Sequence, residues 1–170
     1  MQLEPEFIAP ALSSNEIQRQ QAEKARNTAI NVFKVRGQLL DQGRTDTVLA
    51  ATEDITLRLK IYASGGENEL HAHKHEDHYF VVLQGAVQFY GPDGALAHLR
   101  ALEGIMIPKG SYYWFTATST EPLVMLRGGS PNGSAKGLKG RIGAAGAELA
   151  GDSKENKSVP VKFTAGAFFG

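Results

Sequence analysis

The stretch LHAHKHEDHYFVVLQG, residues 70–85, holds four of the five histidines of this chain next to an apolar run. His71 and His73 stand two residues apart, so both imidazoles lie on one face of a β-strand and can reach the same ion. A short polar turn, KHED, follows. His78 then begins an apolar strand that can bring its imidazole to the first two from across the turn. This spacing indicates that His71, His73 and His78 can reach one metal ion on the wall of a barrel. The alternatives are a solvated polar tract without fixed geometry and a folded site that binds no metal.

Short strands separated by turns continue on both sides of this stretch. ITLRLKIYA (55–63) alternates strictly, which places Leu57, Leu59 and Ile61 on one face. The segments AVQFYG, ALAHLRAL, GIMIP, YYWFTAT and PLVMLRG follow, interrupted by turn sequences such as GPDG (91–94). Many short strands at even spacing predict an all-β sandwich or barrel.

The flanking segments differ from this central region. Ser13 and Glu16 have the spacing of a capping box, so we predict a surface helix over roughly 14–28. A later segment, 128–158, is rich in Gly, Ala, Ser and Lys, as long connections are, and an apolar tail follows it. The chain thus has three parts: an N-terminal arm and helix (1–30), a β-barrel (31–128), and a glycine-rich connection with a tail that docks on the barrel or on a neighbour (129–170).

Composition excludes several classes of function. Lys plus Arg and Asp plus Glu both number 18, so the formal net charge is zero and bulk charge predicts no nucleic-acid partner. The absence of cysteine excludes disulfides, thiolate metal sites and a cysteine nucleophile. The early acids and prolines of the N-terminal residues are not those expected of a signal peptide, and no apolar run approaches the ~18 residues that a membrane span needs. We expect a cytoplasmic protein that contacts neither nucleic acid nor membrane.

The central stretch resembles the first motif of the cupin family, which reads Gly, five residues, His-x-His, three or four residues, Glu, six residues, Gly. Gly65, His71, His73 and Gly85 match this motif at its spacing, and His78 stands at the Glu position. The resemblance implies a double-stranded β-helix, which is the jelly-roll barrel of cupins, preceded here by a short N-terminal helix. Because this fold hosts many chemistries, the resemblance implies the fold more strongly than any one activity.

The second cupin motif is only partly present. It reads Gly, five residues, Pro-x-Gly, two residues, His, three residues, Asn. Pro108 and Gly110 match, whereas Tyr113 stands at the His position and Ala117 at the Asn position. In all, the resemblance covers roughly residues 50–128, and it implies a metal site that departs from the usual three histidines and one carboxylate.

By this resemblance, His71, His73 and His78 are the metal ligands and Tyr113 takes the remaining place. Three imidazoles suit one divalent transition metal, with Fe(II) favoured over Zn, Cu and Ni, and they suit Mg or Ca poorly. Loss of the carboxylate leaves the ion more positive, which favours an anionic substrate oxygen in its shell.

Two features of this ligand set stay open. Tyr113 ligates the metal as a phenolate, or it acts beside the metal as a proton or hydrogen-bond donor, or it only fills the space of a lost ligand. Glu76 and Asp77 are rival carboxylate ligands, since the shorter gap of the motif selects Asp77. We favour His78 because its spacing to the closing glycine of the motif then matches. His75 falls in the turn and should be exposed.

The pocket wall follows from strand alternation. If Tyr113 points inward, Phe115 does too. Arg58, Lys60 and Arg127 are cations on predicted strands; they lie on a solvated face or, where one points inward, can pair with a substrate carboxylate. An apolar, aromatic wall indicates a modest organic substrate. The predicted pocket residues are Phe80, Met106, Phe115, Met125, Arg58 and Arg127.

Three functions are compatible with such a site. The one we favour is an oxidoreductase, a cupin-type non-haem metal dioxygenase that acts on a small oxygenated aromatic or dicarbonyl compound. The second is a metal-assisted lyase or isomerase in which Tyr113 transfers a proton. The third is a non-catalytic cupin that binds a small molecule.

The outer face of the barrel predicts self-association. Tyr79, Val81, Leu83, Tyr112 and Trp114 form an apolar cluster on this face. The N-terminal segment, the C-terminal tail or a second copy of the chain must cover it. We favour a two-fold symmetric homodimer.

Overall fold

The computed structural model describes residues 2–130 and 140–170 of the chain. The part of the predicted glycine-rich connection at 131–139 lies outside the described residues. The elements in chain order are α1 (Ser14–Ala25), β1 (Gly37–Gln42), β2 (Arg44–Ala51), β3 (Thr56–Tyr62), β4 (His71–His73), β5 (His78–Gln84), β6 (Ala86–Gly91), β7 (Gly94–Arg100), β8 (Gly104–Ile107), β9 (Trp114–Ala117), β10 (Leu123–Gly129), β11 (Arg141–Gly143), a 3-10 helix (Lys154–Asn156) and β12 (Lys162–Phe169).

Among the described residues, the strands form four antiparallel sheets. A five-stranded sheet has the order β2-β3-β10-β5-β8, and a three-stranded sheet has the order β7-β6-β9. Two strand pairs, β11-β4 and β1-β12, complete the structure. Between the two larger sheets lies a core whose largest fully buried side chains are Phe80, Phe89 and Phe115. The predicted all-β jelly-roll fold with a short helix is confirmed.

β3 is covered on both of its faces. Leu59 and Ile61 pack outward, against a second apolar cluster to which β1 and β12 contribute. The alternate residues of β3 therefore face the interior, where Arg58 is buried and Lys60 is nearly so. The interpretation of these two cations as a solvated face is wrong, because the chain adds an outer layer that strand alternation alone does not reveal.

α1 begins as its capping box predicts and lies on the surface. The Ser13 hydroxyl accepts a hydrogen bond from the backbone N–H of Glu16 at 3.2 Å, and no residue of α1 is buried. The helix ends at Ala25 instead of 28, because Asn27 starts a turn in which its side-chain oxygen accepts from the N–H of Ala29 at 3.0 Å.

The residues after 140 return to the barrel. β12 pairs with β1 of the same chain, from Gly37 opposite Phe169 to Gln42 opposite Lys162. β11 pairs with β4, the strand of the first two motif histidines. Within the described ranges no helix is both long and apolar enough to cross a membrane.

Candidate functional site

Three histidines and one tyrosine form a buried cluster where β4, β5 and the residue before β9 meet. The ring centroids of His71 and His73 are 5.2 Å apart, and those of His73 and His78 are 4.9 Å apart. The ring of Tyr113 lies 4.4 Å from that of His71 and 5.4 Å from that of His78. Backbone hydrogen bonds between His71 and Tyr113, of 3.1 and 2.9 Å, hold the two motifs side by side. The structure thus brings all four residues together, while His75 is exposed in the turn.

Hydrogen bonds to the cluster determine which imidazole nitrogens are free. Nδ1 of His71 lies 2.7 Å from the carbonyl oxygen of Glu69, which can only accept, so Nδ1–H donates and Nε2 keeps its lone pair. Nε2 of His78 lies 3.0 Å from the hydroxyl of Tyr113. Nδ1 of His73 lies 3.3 Å from Oε2 of Glu76, but the two atoms are not aligned for a hydrogen bond.

Burial keeps the three imidazoles neutral. Burial is the main cause, and it lowers the pKa of His71, His73 and His78 far below the ordinary value. Positive charge nearby lowers these pKa values further. The guanidinium group of Arg127 has the larger effect on His73 and His78, and that of Arg141 has the larger effect on His71. Burial also raises the pKa of the Tyr113 hydroxyl to about 12, so that it is protonated at neutral pH. Neutral imidazole is the form that ligates metals.

The donor set of the cluster fits a transition metal. Two imidazoles on one ion have centroids about 4.5–5.3 Å apart when each metal–nitrogen distance is about 2.1 Å, and both measured separations fall in that range. In the part of the chain that the structure describes, however, no three His, Cys, Asp or Glu side chains are arranged together for coordination. Nε2 of His78 contacts the Tyr113 hydroxyl, so an ion could bind this nitrogen only if the hydroxyl moved away. His71, His73 and His78 are the residues that could hold an ion.

Glu76 and Asp77, the rival carboxylate ligands, have other partners. Glu76 is buried, and its Oε1 lies 2.6 Å from Nη1 of Arg127. Asp77 is exposed and accepts a hydrogen bond from the backbone N–H of Lys109 at 2.8 Å. Glu76 therefore serves as the counter-ion of Arg127 and stands behind His73. This role depends on a contact between residues 51 positions apart, which no local pattern predicts.

A cavity of about 320 Å³ opens beside the cluster. His71, His73 and Tyr113 line one part of its wall. Of the predicted pocket residues, four line it as well: Phe80, Phe115, Arg58 and Arg127.

The two predicted methionines do not line the cavity. Met125 is fully buried in the core behind the wall. Met106 is 65% exposed, because alternation along β8 turns Ile105 and Ile107 inward and Met106 outward. The assignment of Met106 and Met125 to the pocket is therefore wrong.

Further charged residues line the cavity, and the sequence analysis did not identify them. Asp46 on β2 stands opposite Lys60 on β3. Arg44, two residues earlier on the same face, donates to the backbone carbonyl oxygens of Gly151 and Asn156 at 2.7 and 2.8 Å. Alternation along RTDTVLAA would have placed both β2 residues on one face. That these residues lie beside the inward-facing cations of β3 depends on how β2 and β3 pair, and the sequence does not show this register.

The outer rim of the cavity joins two segments that are distant in sequence. The carboxylate of Asp152 accepts hydrogen bonds from the backbone N–H and the hydroxyl of Ser14, at 2.8 and 2.7 Å. Leu12, Asp152 and Pro160 are exposed lining residues, so the cavity opens to solvent on this side.

Comparisons with known proteins agree with this architecture. The Cupin_2 family model, described as "Cupin domain", matches residues 58–127. A comparison with curated proteins finds no match. An uncharacterized conserved protein with a double-stranded beta-helix domain from Klebsiella pneumoniae subsp. pneumoniae is similar at 18% identity and a TM-score of 0.54, over 63% of this chain and 95% of that chain.

Two further solved structures are similar at lower TM-scores. A cupin-2 domain containing protein from Shewanella frigidimarina has 26% identity and a TM-score of 0.42, over 49% of this chain and 76% of that chain. The polyketide cyclase RemF from Streptomyces resistomycificus has 20% identity and a TM-score of 0.46, over 51% of this chain and 64% of that chain. Such similarity carries no argument about activity. Residues 58–127 match the family model of the cupin domain, and the histidine motif and the jelly-roll sheets support membership of the cupin superfamily.

Proposed function

We propose that this cupin is a metal-dependent oxidoreductase of the dioxygenase type, which acts on a small oxygenated aromatic or dicarbonyl compound. The observation that supports it is a set of three neutral imidazoles, two of which, His71 and His73, line a cavity of about 320 Å³. That volume is at the lower end of the range for small-molecule sites, and the aromatic wall of Phe80 and Phe115 suits a planar organic molecule.

His71, His73 and His78 would hold the ion, with Fe(II) favoured over Zn, Cu and Ni. When bound, such an ion would supply Lewis-acid polarisation of a substrate oxygen and, in the case of Fe(II), electrons for reaction with O₂. The carbonyl oxygen of Glu69 orients the ring of His71, as outer partners of metal-bound histidines commonly do. The carboxylate of Glu76 lies behind His73 and compensates the charge of neighbouring arginines.

Tyr113 supports a second candidate, a metal-assisted lyase or isomerase. Its hydroxyl is protonated, buried and on the cavity wall, and it forms a hydrogen bond with Nε2 of His78. A phenol in this place can give a proton to a substrate carbon or oxygen and receive it back.

Metal content and oxygen use test these proposals. Protein purified without an affinity tag should contain about one transition-metal ion per chain. With a panel of catechols and β-diketones, oxygen uptake that matches substrate loss supports the dioxygenase. Turnover without oxygen uptake supports the lyase or isomerase. Binding without turnover leaves a ligand-binding cupin, and metal-free protein with full turnover contradicts both enzymatic proposals.

A further inference from the structure

A charged patch covers the inner face of the five-stranded sheet, on the cavity wall. Arg58 and Lys60 lie on β3, Asp46 on β2 and Arg127 on β10, and all four line the cavity. The strand register places Lys60 opposite Asp46, and Arg127 opposite Arg58. This patch shares the cavity with His71 and His73 of the imidazole cluster.

The patch holds more positive than negative charge. Oδ2 of Asp46 lies 2.8 Å from Nζ of Lys60 and 3.2 Å from Nη1 of Arg58. Glu76, behind the patch, lies 2.6 Å from Nη1 of Arg127 and 3.9 Å from Nη2 of Arg58. Three cations thus share two carboxylates, which leaves one positive charge without a partner within these contacts.

This excess charge is costly in the absence of a ligand. Arg58 and Arg127 are like charges directly opposite each other on one sheet face, an arrangement that is destabilising. Nε of Arg58 and Nη2 of Arg127 are buried donors without a hydrogen-bond partner among the described residues. Apolar residues of similar volume would commonly be at least as stable as such a buried charged group. A purely structural role therefore does not explain the patch.

We propose that Arg58, Lys60 and Arg127 form a carboxylate-binding subsite, so that the substrate is a small organic carboxylate with a second oxygen atom near the imidazoles. A planar carboxylate matches the fork of a guanidinium and would balance the third cation. The position of the second oxygen rests on the proposed function, whereas the carboxylate subsite does not.

Salicylate and salicylamide test this subsite, because they have nearly the same shape but only salicylate carries a carboxylate. Calorimetric titration would use the full chain after removal of metal with a chelator. We expect salicylate to bind at least about tenfold more tightly than salicylamide, and less tightly as ionic strength rises. Equal affinities of the two compounds in the wild-type protein would overturn the proposal, and this comparison needs no variant to fold.

Variants at Lys60 locate the subsite. Lys60→Met should lose most of the preference for salicylate, and Lys60→Arg should keep it. The matched control is Lys109→Met, which removes an exposed lysine and should leave the preference unchanged. Circular dichroism would verify that each variant folds. Loss of the preference in the Lys109 variant, or its full retention in Lys60→Met, would contradict the assignment.

The two proposals can fail independently. A preference for salicylate in metal-free protein, together with no metal and no turnover in the untagged protein, would keep the subsite and reject the proposed oxidoreductase. Metal-dependent turnover of neutral compounds without any preference for salicylate would do the reverse.

Discussion

The hydroxyl of Tyr113 lies 3.0 Å from Nε2 of His78. The carbonyl oxygen of Glu76 can only accept and lies 3.5 Å from Nδ1 of His78, so Nδ1 carries the hydrogen and Nε2 accepts from the phenol, which burial keeps protonated. Tyr113 stands where the second cupin motif has His, and His78 stands where the first motif has Glu. A proton donor and a candidate ligand nitrogen are thus joined directly, and the first two predictions concern this pair.

Tyr113→Phe should keep its metal and lose most turnover. The ring still fills its space between His71 and Phe80, but the proton is gone, and general acid–base catalysis contributes roughly 10²–10⁴-fold. Initial rates and metal analysis measure the two effects separately. Tyr112→Phe is the matched control, because Tyr112 is only partly buried and does not line the cavity. Unchanged turnover in Tyr113→Phe would leave only a space-filling role for the phenol.

His78→Ala should reduce bound metal by at least about tenfold and leave the fold intact, since one of three imidazole ligands is removed. Mass-spectrometric metal analysis of untagged protein measures this loss. His75→Ala is the control, because His75 is exposed in the turn and should not affect binding. Full occupancy in the His78 variant would remove this residue from the ligand set.

Glu76→Gln should destabilise the protein by roughly 3–5 kcal/mol, the usual cost of breaking a buried ion pair. The substitution keeps the shape of the side chain but leaves Arg127 without its nearest counter-ion. Urea denaturation measures the free energy of unfolding. Glu121→Gln, at an exposed position, should change it by less than about 0.5 kcal/mol. Equal stability of the two variants would show that Arg127 is compensated by other groups.

The free energy of unfolding should rise between pH 8 and pH 10. Burial lowers the pKa of Lys60 to about 8, although Asp46 opposes this effect. In that interval the unfolded chain retains the Lys60 proton and the folded chain has released it, so stability increases with pH. The pKa values of Tyr62 and Tyr113 are raised by burial, so these two groups reduce stability only above about pH 10.

Urea denaturation of wild type and Lys60→Met at both pH values isolates this contribution. The rise should be roughly 2 kcal/mol larger in the wild-type protein. Parallel pH dependences of the two proteins would mean that the pKa of Lys60 is the same in the folded and unfolded states.

Self-association stays a prediction. Leu83 packs against the outer apolar cluster, and Trp114 stacks on Tyr90 at 4.2 Å, but Tyr79 and Val81 are still partly exposed. Sedimentation at micromolar concentration should give a dimer, at twice the chain mass of 18.3 kDa. A single species at the chain mass would show that the contacts within one chain suffice.

The histidine motif predicted most of the fold and the centre of the site, for a physical reason. Spacings of two residues and strand alternation are local properties, and they correctly placed His71, His73, Phe80 and Phe115 toward one interior. Met106 is the exception, since alternation along β8 turns it toward solvent while Ile105 and Ile107 pack on the core.

The charged part of the site depends on contacts between distant segments. Asp46 meets Lys60 only through the register of β2 and β3. β1 and β12 add an outer layer that covers Leu59 and Ile61, and Arg58 lies on the opposite, interior face of β3. Arg141, far along the chain, reaches the site through the pairing of β11 with β4. No local pattern in the sequence contains this information.

The hydrogen bonds between Ser14 and Asp152 have a consequence for how molecules enter and leave. They connect positions 138 residues apart at the open side of the cavity. A wider entrance therefore requires two remote stretches of the chain to separate, instead of one loop swinging on its own hinges. Ligand exchange in this protein should accordingly depend on the strength of that link, and a change at either residue should alter association and dissociation rates by similar factors while leaving equilibrium affinity nearly constant.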